Sequence, residues 1–142
     1  MASAAQLLGR KPRDIHSVGP DTPVLEAIQL MADHSIGALL VMQGDKLAGI
    51  VSERDYARKV ILKGRSSADT PVRSIMTAQV HTIGPDASAQ YCMQIMTDKR
   101  IRHLPVVEAG RVVGMLSIGD LVRAVLAEQA QTIEQLENYI HH

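Results

Sequence analysis

The stretch GIVSERD at residues 49–55 has a near-copy, GMLSIGD, at residues 114–120. In both, a short apolar run ends at a serine, Ser52 or Ser117, and a carboxylate follows three positions later, Asp55 or Asp120. Taken singly, this spacing is a helix-capping signature, in which the serine oxygen accepts from the N3 amide and the acidic side chain reaches back to the N-cap amide. A strand running straight into a capped helix is therefore expected at each place. The recurrence decides the fold, because it reaches well beyond seven residues.

Sliding the chain against itself by 65 positions aligns residues 16–61 with 81–126 without a gap, and fifteen of the forty-six pairs are identical. These include His16/His81, the Gly-Pro-Asp turns at 19–21 and 84–86, Met31/Met96, Gly49/Gly114, Ser52/Ser117, Asp55/Asp120 and Arg58/Arg123. Internal periodicity of this kind marks a structural unit written twice. Each copy opens with a short strand, expected around Ile15–Val18 and Val80–Ile83. The Gly-Pro-Asp turn precedes a helix, with Thr22 and Pro23 fitting N-cap and N1 in the first copy and Ser88 fitting N-cap in the second. Val24, Ile28 and Met31, or Ala89, Met93 and Met96, share one helical face. Two β-rich runs follow, ALLVM and LAGIVS or LPVV and VVGMLS, with Gly44-Asp45 and Ala109-Gly110 as hairpin turns. A second helix then starts at the serine. The fold class is α/β (α+β), two β-α-β-β-α units. One unit of about 60 residues would bury only about 60% of its surface, so the two are expected to pack their sheets together with pseudo-two-fold symmetry. The expected organisation is repeat 1 at 12–63, a linker at 64–72, repeat 2 at 73–127 and a C-terminal helical extension at 128–142. In that extension Thr132 and Gln135 fit a capping box.

The composition excludes several functions. In 142 residues, fifteen basic side chains balance fifteen acidic ones, so no net field attracts a polyanion or an anionic membrane. Phe and Trp are absent and three tyrosines are the only aromatics, which leaves little for bases to stack on. No nucleic-acid role is expected. The single Cys92 has no partner for a disulfide and sits in an apolar helical stretch, where it packs as a small hydrophobe. The run AAQLLG at 4–9 is too short for a signal-peptide core and no 18-residue apolar stretch occurs, so neither export nor membrane insertion is expected, and the expected location is cytoplasmic.

The duplicated unit, the VRSIMT segment at 72–77, the RIRHLPVV run at 100–107 and the paired GxxSxxD turns together resemble tandem cystathionine β-synthase (CBS) domains arranged as a Bateman module. The resemblance covers residues 12–127, and the chain is similar to free-standing bacterial proteins that consist of one CBS pair and little else. It implies a regulatory module that binds adenosyl ligands, AMP, ATP, NAD(H) or S-adenosylmethionine, in clefts between the repeats. It further implies that the Asp of GxxSxxD takes the ribose hydroxyls, that the Ser and the amides after it meet phosphate, and that aliphatic side chains enclose the base. A carboxylate suits a vicinal diol, and free amides at a helix start suit an anion. Carried onto this chain, cleft 1 comprises Ile50, Ser52, Arg54 and Asp55 with Val80, Thr82, Ile101, Arg102 and His103. Cleft 2 comprises Met115, Ser117, Gly119 and Asp120 with Ile15, Ser17, Ile36, Gly37 and Ala38. The first set holds Arg54, Arg102 and His103 where the second has Gly119, Gly37 and Ala38, so phosphorylated ligands are expected to favour the Asp55 set.

Plainer readings stand beside these. Arg102-His103 also fits a solvated strand edge, and Arg58 and Arg123 fit a solvated helix face. His16 and His81 lack the carboxylate or cysteine spacing of a metal site, so no metal is expected. Met31, Met93 and Met96 suit a core or a subunit interface. His141 and His142 carry no functional reading. The alternatives to a nucleotide sensor are a structural dimerisation or adaptor module whose SxxD turns only cap helices, and, with less support, a small nucleotide-processing enzyme. No catalytic Ser/His spacing, metal set or phosphate-binding glycine loop is present, and no counterpart exists to the barrel of IMP dehydrogenase, which carries a similar CBS pair. By resemblance the module forms a homodimer; with no effector domain among these residues, its output is expected either to go through a partner protein or not to extend beyond binding.

Overall fold

The computed structural model describes residues 2–10 and 15–141; the start of repeat 1 at residue 12, the His141 side chain and His142 lie outside the described residues. In chain order the elements are α1 (Ala4–Gly9), β1 (Ser17–Val18), α2 (Val24–His34), β2 (Ala38–Gln43), β3 (Lys46–Ser52), α3 (Glu53–Tyr56), α4 (Ala89–Lys99), β4 (His103–Glu108), β5 (Arg111–Ser117) and α5 (Ile118–His141). A π-helical turn, Ala57–Ile61, continues α3, and a 3-10 turn covers Val72–Ser74. The chain forms two compact units, residues 15–81 and residues 82–142 with 1–14.

In the first unit β1 pairs in parallel with β2, and β2 pairs antiparallel with β3. The Gly44-Asp45 turn reverses the chain with φ of 62° at Gly44, a conformation glycine adopts without steric penalty. Both hairpins contain the same bulge: Val41 faces Gly49 and Met42 faces Leu47, as Val106 faces Gly114 and Val107 faces Val112. The second unit has one hairpin, β4-β5. Its leading segment is not a strand: within 80–83 only Ile83 bridges to Val106, where the sequence leads one to expect four paired residues. In the first copy, too, pairing is confined to Ser17–Val18.

Helical periodicity is kept. Val24, Ala27 and Met31 of α2, and Ala89, Cys92 and Met96 of α4, face their own cores, with Met93 packed at the edge of the second. The expected start of α2 is corrected. Pro23 occupies the cap position with no side-chain bond, while Thr22 turns back to accept the Gly19 amide at 3.1 Å. Ser88 caps α4 as expected, accepting from the Tyr91 amide at 3.0 Å. Both helices end on a left-handed residue that is not glycine, Ser35 (φ 54°) and Arg100 (φ 55°). The Ile36 and Ile101 amides then reach back to the Met31 and Met96 carbonyls, each at 3.0 Å, the long bond of a Schellman motif.

The sequence symmetry did not reveal the straps. Val72 and Ile75, placed in or beside the expected linker, are fully buried in the first unit's core. That stretch is tied down by Val24 N–H to the Thr70 carbonyl and Val72 N–H to the Thr22 carbonyl, both 2.8 Å. In the second unit α1 does the same work. Ala89 N–H donates to the Ala2 carbonyl at 2.9 Å and Ala4 N–H to the Ala87 carbonyl at 2.7 Å, and Ala4 and Leu7 are buried. Thr70, Val72, Ile75 and Met76 thus correspond to Ala2, Ala4, Leu7 and Leu8, an offset of 68 residues and not 65. The glycines confirm the match: a Cβ at Gly49 would lie 2.8 Å from Met76 Sδ and from the Thr77 carbonyl, and one at Gly114 would lie 2.7 Å from Leu8 Cδ2.

The C-terminal extension is also corrected. Helix α5 runs unbroken for 24 residues from Ile118. Thr132 does not start a new helix; its hydroxyl donates to the Glu128 carbonyl at 3.1 Å, within the same helix.

Candidate functional site

Both Ser-Asp turns form at the end of a strand, and both are complete capping boxes. Ser52 Oγ accepts the Asp55 amide at 3.2 Å, while Asp55 Oδ2 accepts the Ser52 amide and hydroxyl, each at 3.0 Å. In the second copy the matching distances are 3.3 Å, 2.8 Å and 3.1 Å. One carboxylate oxygen in each turn is thus held by the local backbone. This geometry follows from the spacing alone, since residues three apart at a helix start face each other.

The other oxygen meets a cation, and the two copies differ in which one. Asp55 Oδ1 lies 3.2 Å from Lys59 Nζ, which also donates to the Ile75 carbonyl at 2.8 Å. Asp120 Oδ1 lies 2.7 Å from Arg123 Nη2. Arg123 is therefore a partner of the acidic turn and not only a solvated helix face. Lys59 went unnoticed in the sequence, although its position four residues after Asp55 is the usual spacing for a helical ion pair. Both carboxylates are largely shielded, with side-chain exposures of 14% for Asp55 and 6% for Asp120, whereas Lys59 and Arg123 are 44% and 72% exposed.

Of the amides that follow each serine, the first is already taken. Glu53 N–H donates to the Gly37 carbonyl at 3.0 Å and Ile118 N–H to the Arg102 carbonyl at 2.8 Å. The third closes the capping box. Arg54 N–H and Gly119 N–H, in the middle, are the donors left over in these two turns among the described residues.

Each unit gathers part of both expected residue sets. In the first, Ser52 pairs with Ala38, next to Gly37, and Ile36 follows the end of α2. Ile50 exchanges two backbone hydrogen bonds with Thr77, at 3.0 and 2.8 Å. Ser17 lies on β1 opposite Leu40, while Ile15, before that strand, is exposed. In the second unit Ser117 pairs with His103, Met115 with Pro105, and Ile101 packs against the core. Thr82 directly precedes the Ile83 bridge. The set around Asp55 draws Thr82, Ile101, Arg102 and His103 from the second unit, and the set around Asp120 draws its leading residues from the first.

His16 stacks on His34, with ring centroids 3.8 Å apart and planes at 25°. Among the described residues no group of three or more His, Cys, Asp or Glu side chains has metal-holding geometry. Cys92 is buried, and burial pushes its thiol pKa up against a smaller opposing effect of a backbone hydrogen bond. No described helix is long and apolar enough to cross a membrane.

Comparison with known proteins agrees with this architecture. The chain is 46% identical over 125 residues to the Arabidopsis thaliana CBS domain-containing protein CBSX3, mitochondrial, covering 84% of this chain but only 61% of that relative. A CBS-domain protein from Burkholderia ambifaria is 52% identical and superposes with a TM-score of 0.87, covering 90% of this chain and 96% of that one. The CBS domain pair of protein MJ0100, solved in complex with 5′-methylthioadenosine and S-adenosyl-L-methionine, has the same fold at 22% identity, with a TM-score of 0.80 over 90% of this chain and 98% of that one. The CBS domain family matches residues 12–62 and 72–127, the same two stretches that carry the capped Ser-Asp turns. The chain belongs to the CBS domain family and carries two CBS domains in tandem.

Proposed function

We propose that this chain is a regulatory module that binds an adenosyl ligand such as AMP, ATP, NAD(H) or S-adenosylmethionine, and passes its occupancy to a partner, without catalysing a reaction. The observation that carries the reading is the doubled acidic turn. In each copy a shielded carboxylate keeps one oxygen on the backbone while the other meets an exposed cation. A ribose diol can replace that cation on Oδ1, and the displaced Lys59 or Arg123 is then free to meet a phosphate. The leftover Arg54 and Gly119 amides supply a further donor for an anion. The adenosyl compounds bound to the CBS pair of MJ0100 support the ligand class. We assign the ligand's contacts to the two sets described from the sequence, with phosphorylated ligands preferring the set of Asp55, Arg54, Arg102 and His103.

A melting screen with AMP, ATP, NAD, NADH and S-adenosylmethionine tests the proposal. At about 100 times its dissociation constant, a true ligand adds about 2.7 kcal/mol of stability. Asp55→Asn and Asp120→Asn retain an oxygen for the cap but lose the anionic acceptor, so they should abolish the shift while the unliganded protein melts close to wild type. Full-strength binding in both variants would refute the assignment. The complete capping boxes also favour a second reading, a ligand-free scaffold, and a screen in which no adenosyl compound changes the melting temperature would select it.

A further inference from the structure

We propose that Lys59 is a latch through which a phosphorylated ligand on the Asp55 turn loosens the strap at residues 70–77. The proposal rests on the reading of that turn as a ligand site. Every protein group it uses lies in the first unit, residues 15–81.

The ammonium of Lys59 joins two groups that are sixteen or more residues apart in purpose as well as in chain position: the acidic turn, 3.2 Å away at Asp55 Oδ1, and the strap, where it donates to the Ile75 carbonyl at 2.8 Å. Ile75 is 0% exposed, so that carbonyl is closed to water and would bear the cost of lost hydration if its donor left. Lys59 is carried by the π-helical turn Ala57–Ile61, in which the Leu62 amide bonds to the Ala57 carbonyl at 3.0 Å. Turns of this kind are rare and concentrate at functional sites. The second unit is built differently at the same place. Its helix α5 continues as a regular α-helix, Ala124 stands at the position of Lys59, and the carbonyl of Leu7, the counterpart of Ile75, accepts from the Arg10 amide at 3.2 Å.

Two effects of a bound nucleotide pull Lys59 the same way. A ribose diol on Asp55 Oδ1 takes the counter-charge that holds the ammonium in place, and a phosphate offers it a stronger acceptor than a neutral carbonyl. With its side chain 44% exposed, Lys59 reaches such an anion without first being freed from the core. The Ile75 carbonyl then loses its donor and the strap opens more often. The strap leads directly into the second unit, which begins at Thr82, so the segment that loosens is the one joining the two CBS domains.

Hydrogen–deuterium exchange of the full chain, read by mass spectrometry with AMP as the probe, tests the latch. The strap amides of Val72, Ile75, Met76 and Thr77 are all bonded to backbone carbonyls, and the α1 amides of Ala4, Ala5 and Leu7 are the internal reference. A ligand that only stabilises slows exchange everywhere. Here saturating AMP should raise the melting temperature and yet quicken strap exchange roughly tenfold, the effect of losing one hydrogen bond from a charged donor, without quickening α1. Lys59→Met should give the same acceleration with no AMP present, and AMP should add nothing further to it. A melting shift with strap exchange unchanged or slowed overturns the latch and leaves the ligand site standing. AMP that produces no melting shift overturns the site reading and the coupling with it. Wild-type strap exchange in Lys59→Met overturns the latch without reference to any ligand, and if that variant does not fold, the wild-type comparison with and without AMP decides alone.

Discussion

Leu7→Ala should destabilise this protein as severely as a central core mutation, although Leu7 lies outside both expected repeats. Its side chain is 3% exposed and belongs to the cluster of Ile83, Cys92, Leu104 and Leu116. Truncation removes three carbons, worth about 2.4 kcal/mol at about 0.8 kcal/mol per methylene. The cavity adds to this, and comparable Leu→Ala changes fall at about 2–5 kcal/mol. We expect about 3 kcal/mol, a large part of a domain stability of about 5–15 kcal/mol. Urea unfolding followed by far-UV circular dichroism reads the effect. With a slope of about 1–3 kcal/mol per molar, the midpoint should fall by at least about 1 M. If the two units unfold separately, only the transition of residues 82–141 should move. Leu62→Ala, at a side chain that is 76% exposed, is the control and should stay within about 0.5 kcal/mol. A Leu7→Ala midpoint no lower than that of the control would show that α1 is not part of the second unit's core, and the correspondence of the two straps would fail with it.

Gly49→Ala should be destabilising by about 1–3 kcal/mol, because its Cβ meets Met76 and the Thr77 carbonyl at 2.8 Å; the same change at the unobstructed Gly84 serves as reference in the same denaturation series. Ser35→Gly and Arg100→Gly should each raise the melting midpoint, by about 0.5–1 kcal/mol of stability, since both residues hold a left-handed conformation that glycine adopts freely. Ser117→Ala should lower stability by about 0.5–2 kcal/mol through loss of the cap, as read by thermal melting without ligand. Native Cys92 should resist alkylation by iodoacetamide and react on unfolding, because its raised pKa and burial keep it a protonated, inaccessible thiol; rapid modification of the native protein, measured by mass spectrometry, would contradict its place in the core.

What the sequence determined by itself was local or repeated. Hairpin turns at Gly44-Asp45 and Ala109-Gly110, the apolar faces of α2 and α4, and the capped Ser-Asp turns all depend on residues within a few positions of one another, and duplication stated each of them twice. Tertiary structure alone decided the rest. Ala4 and Leu7 fell outside both expected repeats because a short apolar run has no fate until a groove exists to receive it, and that groove is built by residues some eighty positions away. The strap before the second repeat was hidden for a related reason: its three-residue shift in offset breaks the alignment, and burial asks only for apolar shape, not for the same residues. At the site, spacing predicted the serine's bond to its aspartate, and the partner of the other oxygen follows a difference between the copies: Lys59 pairs with Asp55, whereas its counterpart in the second copy is Ala124 and Arg123 meets Asp120. Thr132 illustrates the reverse case, since its capping signature is satisfied equally well inside a helix that has no reason to stop.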